Sequence, residues 1–270
     1  MKYIIIIIVI CITTIFIYFI NKKNNINCTT LPFGYQSTDK IKSSCKKNFY
    51  KLLKRYGNKK DIDITNKILE IDHKYAPTWG IKIDKDNNKE FEMYFYVYNQ
   101  NTKDYENDTI TFEKLKQKFS LDYEYKKNIT MYSIDYHDDE LKPNFYYFTS
   151  SDNIKDVGYS EKDGKLNNHY YRYFSNTIDS KYDDYIDKKL INYEIENIKT
   201  VFIADKLIRN YYGIYYDGIN YSQLKYFINK YNFDDSIIVD FDKTANYSIS
   251  VDFNKKTNLV TRIGIYGLLY

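Results

Sequence analysis

Asp240 and Asp242 stand one residue apart behind the apolar run Ile237, Ile238 and Val239, with Lys243 and Thr244 after them. Carboxylates so spaced could act as nucleophile and general acid, or could hold a divalent cation against a diphosphate. His137, Asp138, Asp139 and Glu140 set four potential ligands side by side. Consecutive side chains point different ways and Pro143 marks a turn, so that group reads as an exposed acidic loop. The other histidines, His73 in a predicted helix and His169 in a predicted strand, make no His-x-x-x-His or Glu-x-x-His pair, and no zinc site is expected. Cys11 lies in the apolar opening of the chain; Cys28 and Cys45 belong to no C-x-x-C and could bridge a short loop in an oxidising compartment. Asn27, Asn107, Asn128, Asn220 and Asn246 each begin an Asn-x-Ser/Thr glycosylation acceptor, a pattern that also arises by chance in a chain this rich in Asn.

The stretch from Ile237 to Thr244 resembles the first motif of haloacid-dehalogenase-type phosphatases, which implies Asp240 as nucleophile and Asp242 as general acid. That chemistry also needs a downstream Ser/Thr, a Lys and an acidic magnesium pair on a parallel sheet, whereas the 26 residues after Thr244 read as one hairpin. Read instead as the DxD of a glycosyltransferase, the same pair should follow a nucleotide-binding half of parallel strands, and the preceding residues do not show one. Asp240 and Asp242 therefore stand as catalytic candidates without a supporting motif. No G-x-G-x-x-G, P-loop or G-x-S-x-G occurs, so no cofactor or metal site is assigned.

The elements that would position any site follow from periodicity. Helices are predicted from Ser44 to Gly57, from about Asp61 to Tyr75, from Phe112 to Phe119, from Ser180 to about Lys199 and from Ser222 to Tyr231. Period-two hairpins are predicted at 79–97, at about 157–174 and at 247–266, with further strands at 129–136, 145–149, 200–204 and 211–216; residues 200–208 could instead continue the long helix. In the first hairpin Phe91, Met93, Phe95 and Val97 share one face and Glu90, Glu92, Tyr94, Tyr96 and Tyr98 the other, so one buried face is expected. This order suits an α+β domain with a mainly antiparallel sheet and helices packed on one face. The recurrence of hairpins hints at an internal duplication. The layout is also similar to the barrel ringed by helices of the aromatic prenyltransferases, although no motif assigns the chain to them.

The chain has 270 residues, 33 Tyr, 9 Gly, 3 Pro and a net charge of +4. The excess of Ile, Lys, Asn and Tyr matches the codon bias of AT-rich genomes, such as those of many large DNA viruses; an aromatic surface for flat ligands is the functional alternative. Scarce Gly argues against doubly wound nucleotide folds, and scarce Arg with interspersed acids argues against a nucleic-acid partner. The run that opens at Tyr3 and closes at Ile20 has 18 residues, about 27 Å of helix, close to a bilayer's hydrocarbon thickness. It predicts a single-pass anchor in the lipid bilayer over residues 1–24, a basic juxtamembrane segment and first helix over 25–60, and a soluble domain over 61–270. Lys2 against Lys22 and Lys23 leaves the orientation nearly tied; the basic block beyond residue 40 favours a cytosolic domain, whereas the Cys28 and Cys45 pair and the Asn-x-Ser/Thr acceptors tip the lean to an external or lumenal one.

The expected function is thus a membrane-anchored binding or structural module, virion or surface associated, with a protein or glycan partner. The alternative is a membrane-anchored glycosyl- or prenyl-type transferase built from scattered acids and aromatics. The first predicts a filled core. The second predicts a deep aromatic pocket with at least two convergent acids of perturbed pKa.

Overall fold

A computed structural model of the chain describes residues 26–27, 43–71, 77–99, 104–105, 109–137, 140–148, 156–173, 185–186, 201–239 and 241–268. Strand β1 (Ile26–Asn27) precedes helices α1 (Ser43–Tyr56) and α2 (Lys59–Leu69). The hairpin β2 (Thr78–Asp84) and β3 (Lys89–Tyr96) follows, then the short pair β4 (Tyr98–Asn99) and β5 (Asp104–Tyr105), and helix α3 (Thr109–Phe119). Next come β6 (Met131–His137), β7 (Glu140–Phe148), β8 (Asp156–Lys162), β9 (Lys165–Tyr173), β10 (Val201–Lys206) and β11 (Tyr211–Asn220). Helix α4 (Tyr221–Lys230), a 3-10 turn (Asp235–Ile238), β12 (Ala245–Asn254) and β13 (Val260–Leu268) complete the order. Residues 201–206, ambiguous by periodicity, are strand. The long helix predicted from 180 to 199 lies outside the described residues apart from 185–186.

Ten strands form one antiparallel sheet in the order β2-β3-β6-β7-β8-β9-β10-β11-β12-β13, and β13 pairs with both β12 and β2. The sheet therefore closes on itself. Each barrel strand lies beside its successor in the chain, so the barrel is an up-and-down succession of five hairpins, and an even strand number lets the seam pair antiparallel. Closure removes every exposed backbone edge from the ten strands. The expected open α+β sheet with helices on one face is thus corrected to a closed barrel. Alternation identified two faces correctly, but it does not report whether the more polar face meets bulk water or an enclosed lumen.

The apolar face of each strand points outward, beneath the helices. Phe49 of α1 stacks on Trp79 of β2 with centroids 5.2 Å apart. Phe112 of α3 meets Tyr132 of β6 edge-on at 5.3 Å. Phe227 of α4 packs on Tyr216 of β11 at 6.4 Å. The start of α4 is set by sequence: Asn220 accepts from the Gln223 N–H and the Gln223 side chain accepts from Asn220 N–H, a reciprocal cap.

Among the described residues no helix is long and apolar enough to cross a membrane. This goes against the single-pass arrangement and the external or lumenal placement expected from the sequence, and both are withdrawn. The apolar residues 3–20 that carried the expectation, with Cys11 and Cys28, lie outside the described residues.

Candidate active site in the barrel lumen

Side chains alternate along a strand, and residues at one level of a barrel come from every second strand. Here the inward positions repeat hairpin by hairpin. The first strand of each hairpin carries a small residue followed two positions on by a charge: Gly80 and Lys82, Ser133 and Asp135, Ser160 and Lys162, Ala204 and Lys206, Ser250 and Asp252. The second strand carries Glu, Asn or Gly followed two positions on by Tyr: Glu92 and Tyr94, Asn144 and Tyr146, Asn168 and Tyr170, Gly213 and Tyr215, Gly264 and Tyr266.

The result is stacked tiers. Tyr170, Tyr146, Tyr94, Tyr266 and Tyr215 form a continuous chain of buried rings with successive centroids 6.1, 6.0 and 6.1 Å and then 6.0 Å apart. The small residues between them leave the rings room. A Cβ on Gly264 would lie 2.5 Å from the Tyr266 hydroxyl and 2.6 Å from Ser250 Oγ, so only glycine admits that ring. Towards the hairpin turns lies the charged tier. Lys82 pairs with Glu92; Lys162 Nζ donates to Asp135 at 2.8 Å; Lys206 Nζ donates to both Asp252 oxygens at 2.6 and 2.7 Å. Arg262 bridges Asp252 at 2.8 Å and Glu90 at 2.9 Å. A cavity of about 490 Å³ runs from Asp163, Ile208 and Arg209 at the turns to Tyr94, Tyr146, Tyr170 and Tyr215. Its lining includes six Lys or Arg and four carboxylate side chains.

Burial pushes the phenols of Tyr94, Tyr146, Tyr215 and Tyr266 well above their ordinary range, so they stay neutral. Two carboxyls on one strand are driven apart. Burial raises Glu92, outweighing the Lys82 ammonium. Burial also works to raise Glu90, but Lys82, Arg262 and Arg209 overcome it and hold that carboxyl at about 2. Asp252 is held low by Lys206 and Arg262 against its own burial. Oxygens of Glu90, Glu92 and Asp135 lie within 4.8 Å of one another and could share a cation. A divalent ion there would compete with Lys82 and Lys162 for the same oxygens.

The candidates from motif reading lie elsewhere. Asp242 is half-buried outside the lumen, where its Oδ1 accepts from the Thr244 N–H and hydroxyl at 2.8 and 2.7 Å, and its carbonyl accepts from the Tyr247 hydroxyl at 2.8 Å. Asp240, Asn107 and Cys28 are outside the described residues. Asn27 is in β1 and Cys45 in α1. Asn128 is an exposed turn residue with φ 61°, Asn220 caps α4, and Asn246 is the second residue of β12, opposite Asn220. The converging acids are instead Glu90, Glu92, Asp135 and Asp252, which belong to no sequence motif. Their signal is the fivefold recurrence of small-x-charge and Glu/Asn/Gly-x-Tyr, legible only once the hairpins are laid side by side.

No family profile and no curated protein matches the sequence. Among solved structures, the chain is similar to 6-dimethylallyltryptophan synthase from Micromonospora olivasterospora in complex with DMASPP and Trp, with TM-score 0.53 and 6% identity, over 84% of this chain and 98% of that one. A second 6-dimethylallyl tryptophan synthase structure gives TM-score 0.56 and 6% identity, over 86% and 96%. Nothing in these likenesses supports the protein or glycan partner expected from composition. At this identity what they establish is the fold: the chain is built on the same barrel as these prenyltransferases.

Proposed function

We propose that this barrel is a prenyl-type transferase, moving an allylic group from its diphosphate to an electron-rich aromatic acceptor. The observation that carries the reading is a charged tier rich in Lys and Arg set against a continuous chain of buried tyrosines inside the barrel lumen. Heterolysis of an allylic diphosphate breaks the C–O bond and leaves its electron pair on the diphosphate oxygen. The departing anion needs ammonium and guanidinium donors, which Lys82, Lys162, Lys206 and Arg262 supply. An ammonium carries three N–H groups, so a carboxylate partner leaves donors for phosphate oxygens. The allylic cation needs aromatic faces and exclusion of water, which the neutral tyrosines provide. The acceptor ring's π electrons then form the new C–C bond, and the ring proton passes to a carboxylate. Glu92 suits that last role because burial raises its proton affinity. The structural likeness to two dimethylallyltryptophan synthases supports the same assignment.

The test is incubation of the purified chain with dimethylallyl diphosphate and with tryptophan or other indoles and phenols. The expected result is release of inorganic diphosphate together with an acceptor heavier by one prenyl group. Arg262→Ala should abolish both. Absence of release and of binding for allylic diphosphates of every chain length would reject the reading.

A further inference from the structure

We infer that Asn144 selects the acceptor: its side-chain carbonyl Oδ1 receives a hydrogen bond from an N–H or O–H borne by the aromatic ring to be alkylated, an inference resting on the transferase reading above. Asn144 lines the cavity and is 4% exposed. Its Nδ2 donates to the Tyr146 hydroxyl at 2.8 Å, while Oδ1 is buried with no partner among the described residues.

An isolated amide could be turned over to exchange its oxygen and nitrogen. Here the network fixes it. The Asp135 carboxylate, paired with Lys162, accepts from Ser133 Oγ at 2.9 Å. Ser133 has given its one proton, so at 3.3 Å it accepts from the Tyr146 hydroxyl. Tyr146 has then given its proton too, and its oxygen accepts from Asn144 Nδ2. A reversed amide would set Oδ1 against a hydroxyl with no proton to offer. The carboxylate at one end of the chain thus dictates a bare carbonyl at the other.

Equivalent positions on the neighbouring hairpins are committed differently. Glu92 takes the Tyr94 hydroxyl at 2.5 Å and the Lys82 ammonium. Asn168 donates to Ser160 at 3.2 Å and Tyr170 at 2.9 Å. A buried carbonyl is unfavourable to leave unmatched, and Asn144 belongs to the wall of the cavity that an acceptor would enter. A neutral carbonyl also orients an N–H or O–H without removing its proton, which leaves proton removal to Glu92.

The experiment titrates full-length protein, in inorganic diphosphate, with tryptophan against 1-methyltryptophan and with tyrosine against O-methyltyrosine. For at least one pair, the parent should bind roughly tenfold or more tightly than its methylated partner. In Asn144→Leu that ratio should fall to about one. Should this variant fail to fold, Asn144→Ser removes the carbonyl with less bulk. Equal binding within both pairs by the wild type, or an unchanged ratio in the variant, overturns the role of Asn144. Diphosphate release from dimethylallyl diphosphate with a methylated acceptor as fast as with its parent would do the same while leaving the transferase reading intact. Absence of release with every acceptor would sink that reading itself.

Discussion

Glu92 and Glu90 sit two residues apart on β3, yet their surroundings pull their proton affinities in opposite directions. Paired titratable groups separated in this way are the usual basis for dividing acid and base roles. Glu92→Gln should therefore lower the rate of prenyl transfer by about 10²–10⁴-fold while leaving diphosphate binding in place, as single-turnover assays would show. A raised carboxyl acting as base must first lose its proton. The wild-type rate should climb with pH through an apparent pKa above the ordinary glutamate value of 4.5, and the Gln variant should lose that limb. Glu90 has the opposite sign. Its folded-state value of about 2 lies below the ordinary 4.5, so its stabilising contribution is complete above 4.5 and is lost as pH falls towards 2. Urea denaturation should show Glu90→Gln less stable than wild type at neutral pH, with the gap closing on acidification.

At the scale of the strand, the tyrosine tier depends on what stands between the rings. Gly80, Ser133, Ser160, Ala204 and Ser250 are the small residues on the intervening strands, and Gly264 lies under the Tyr266 hydroxyl. Gly264→Ala should displace that ring and cost about 1–3 kcal/mol of stability through overpacking. Thermal unfolding would register the cost, and crystallography or ring NMR the displacement. A wild-type-like tier in this variant would mean the lumen yields more easily than its spacing implies.

For the whole molecule, closure is what turns five hairpins into a container. β13 joins β12 to β2, so a chain ended before Val260 would bare two strand edges and lose Tyr266 from the ring tier at once. Such a chain should aggregate more readily than the full-length protein, as size-exclusion chromatography or light scattering would report. Eight-stranded barrels are largely filled by their own side chains; ten strands here leave a cavity of about 490 Å³ between the charged tier and the rings.

Much of the local structure is written in the order of residues. The alternation of Phe91, Met93 and Phe95 with Glu90, Glu92 and Tyr94 fixes two faces of β3, and the Asn220 cap fixes where α4 starts, because both depend on neighbours in the chain. The same alternation cannot say that the second face is a lumen. Glu92 reads only as a residue of the second face of its hairpin, and nothing joins it to Asp135 and Lys162 until closure places all three around one axis, since pairing between strands far apart in sequence leaves no mark on the spacing within either. Asp240 and Asp242 drew attention because a short motif is local. The charged and aromatic tiers are assembled one residue per strand, and only the closed sheet brings them together.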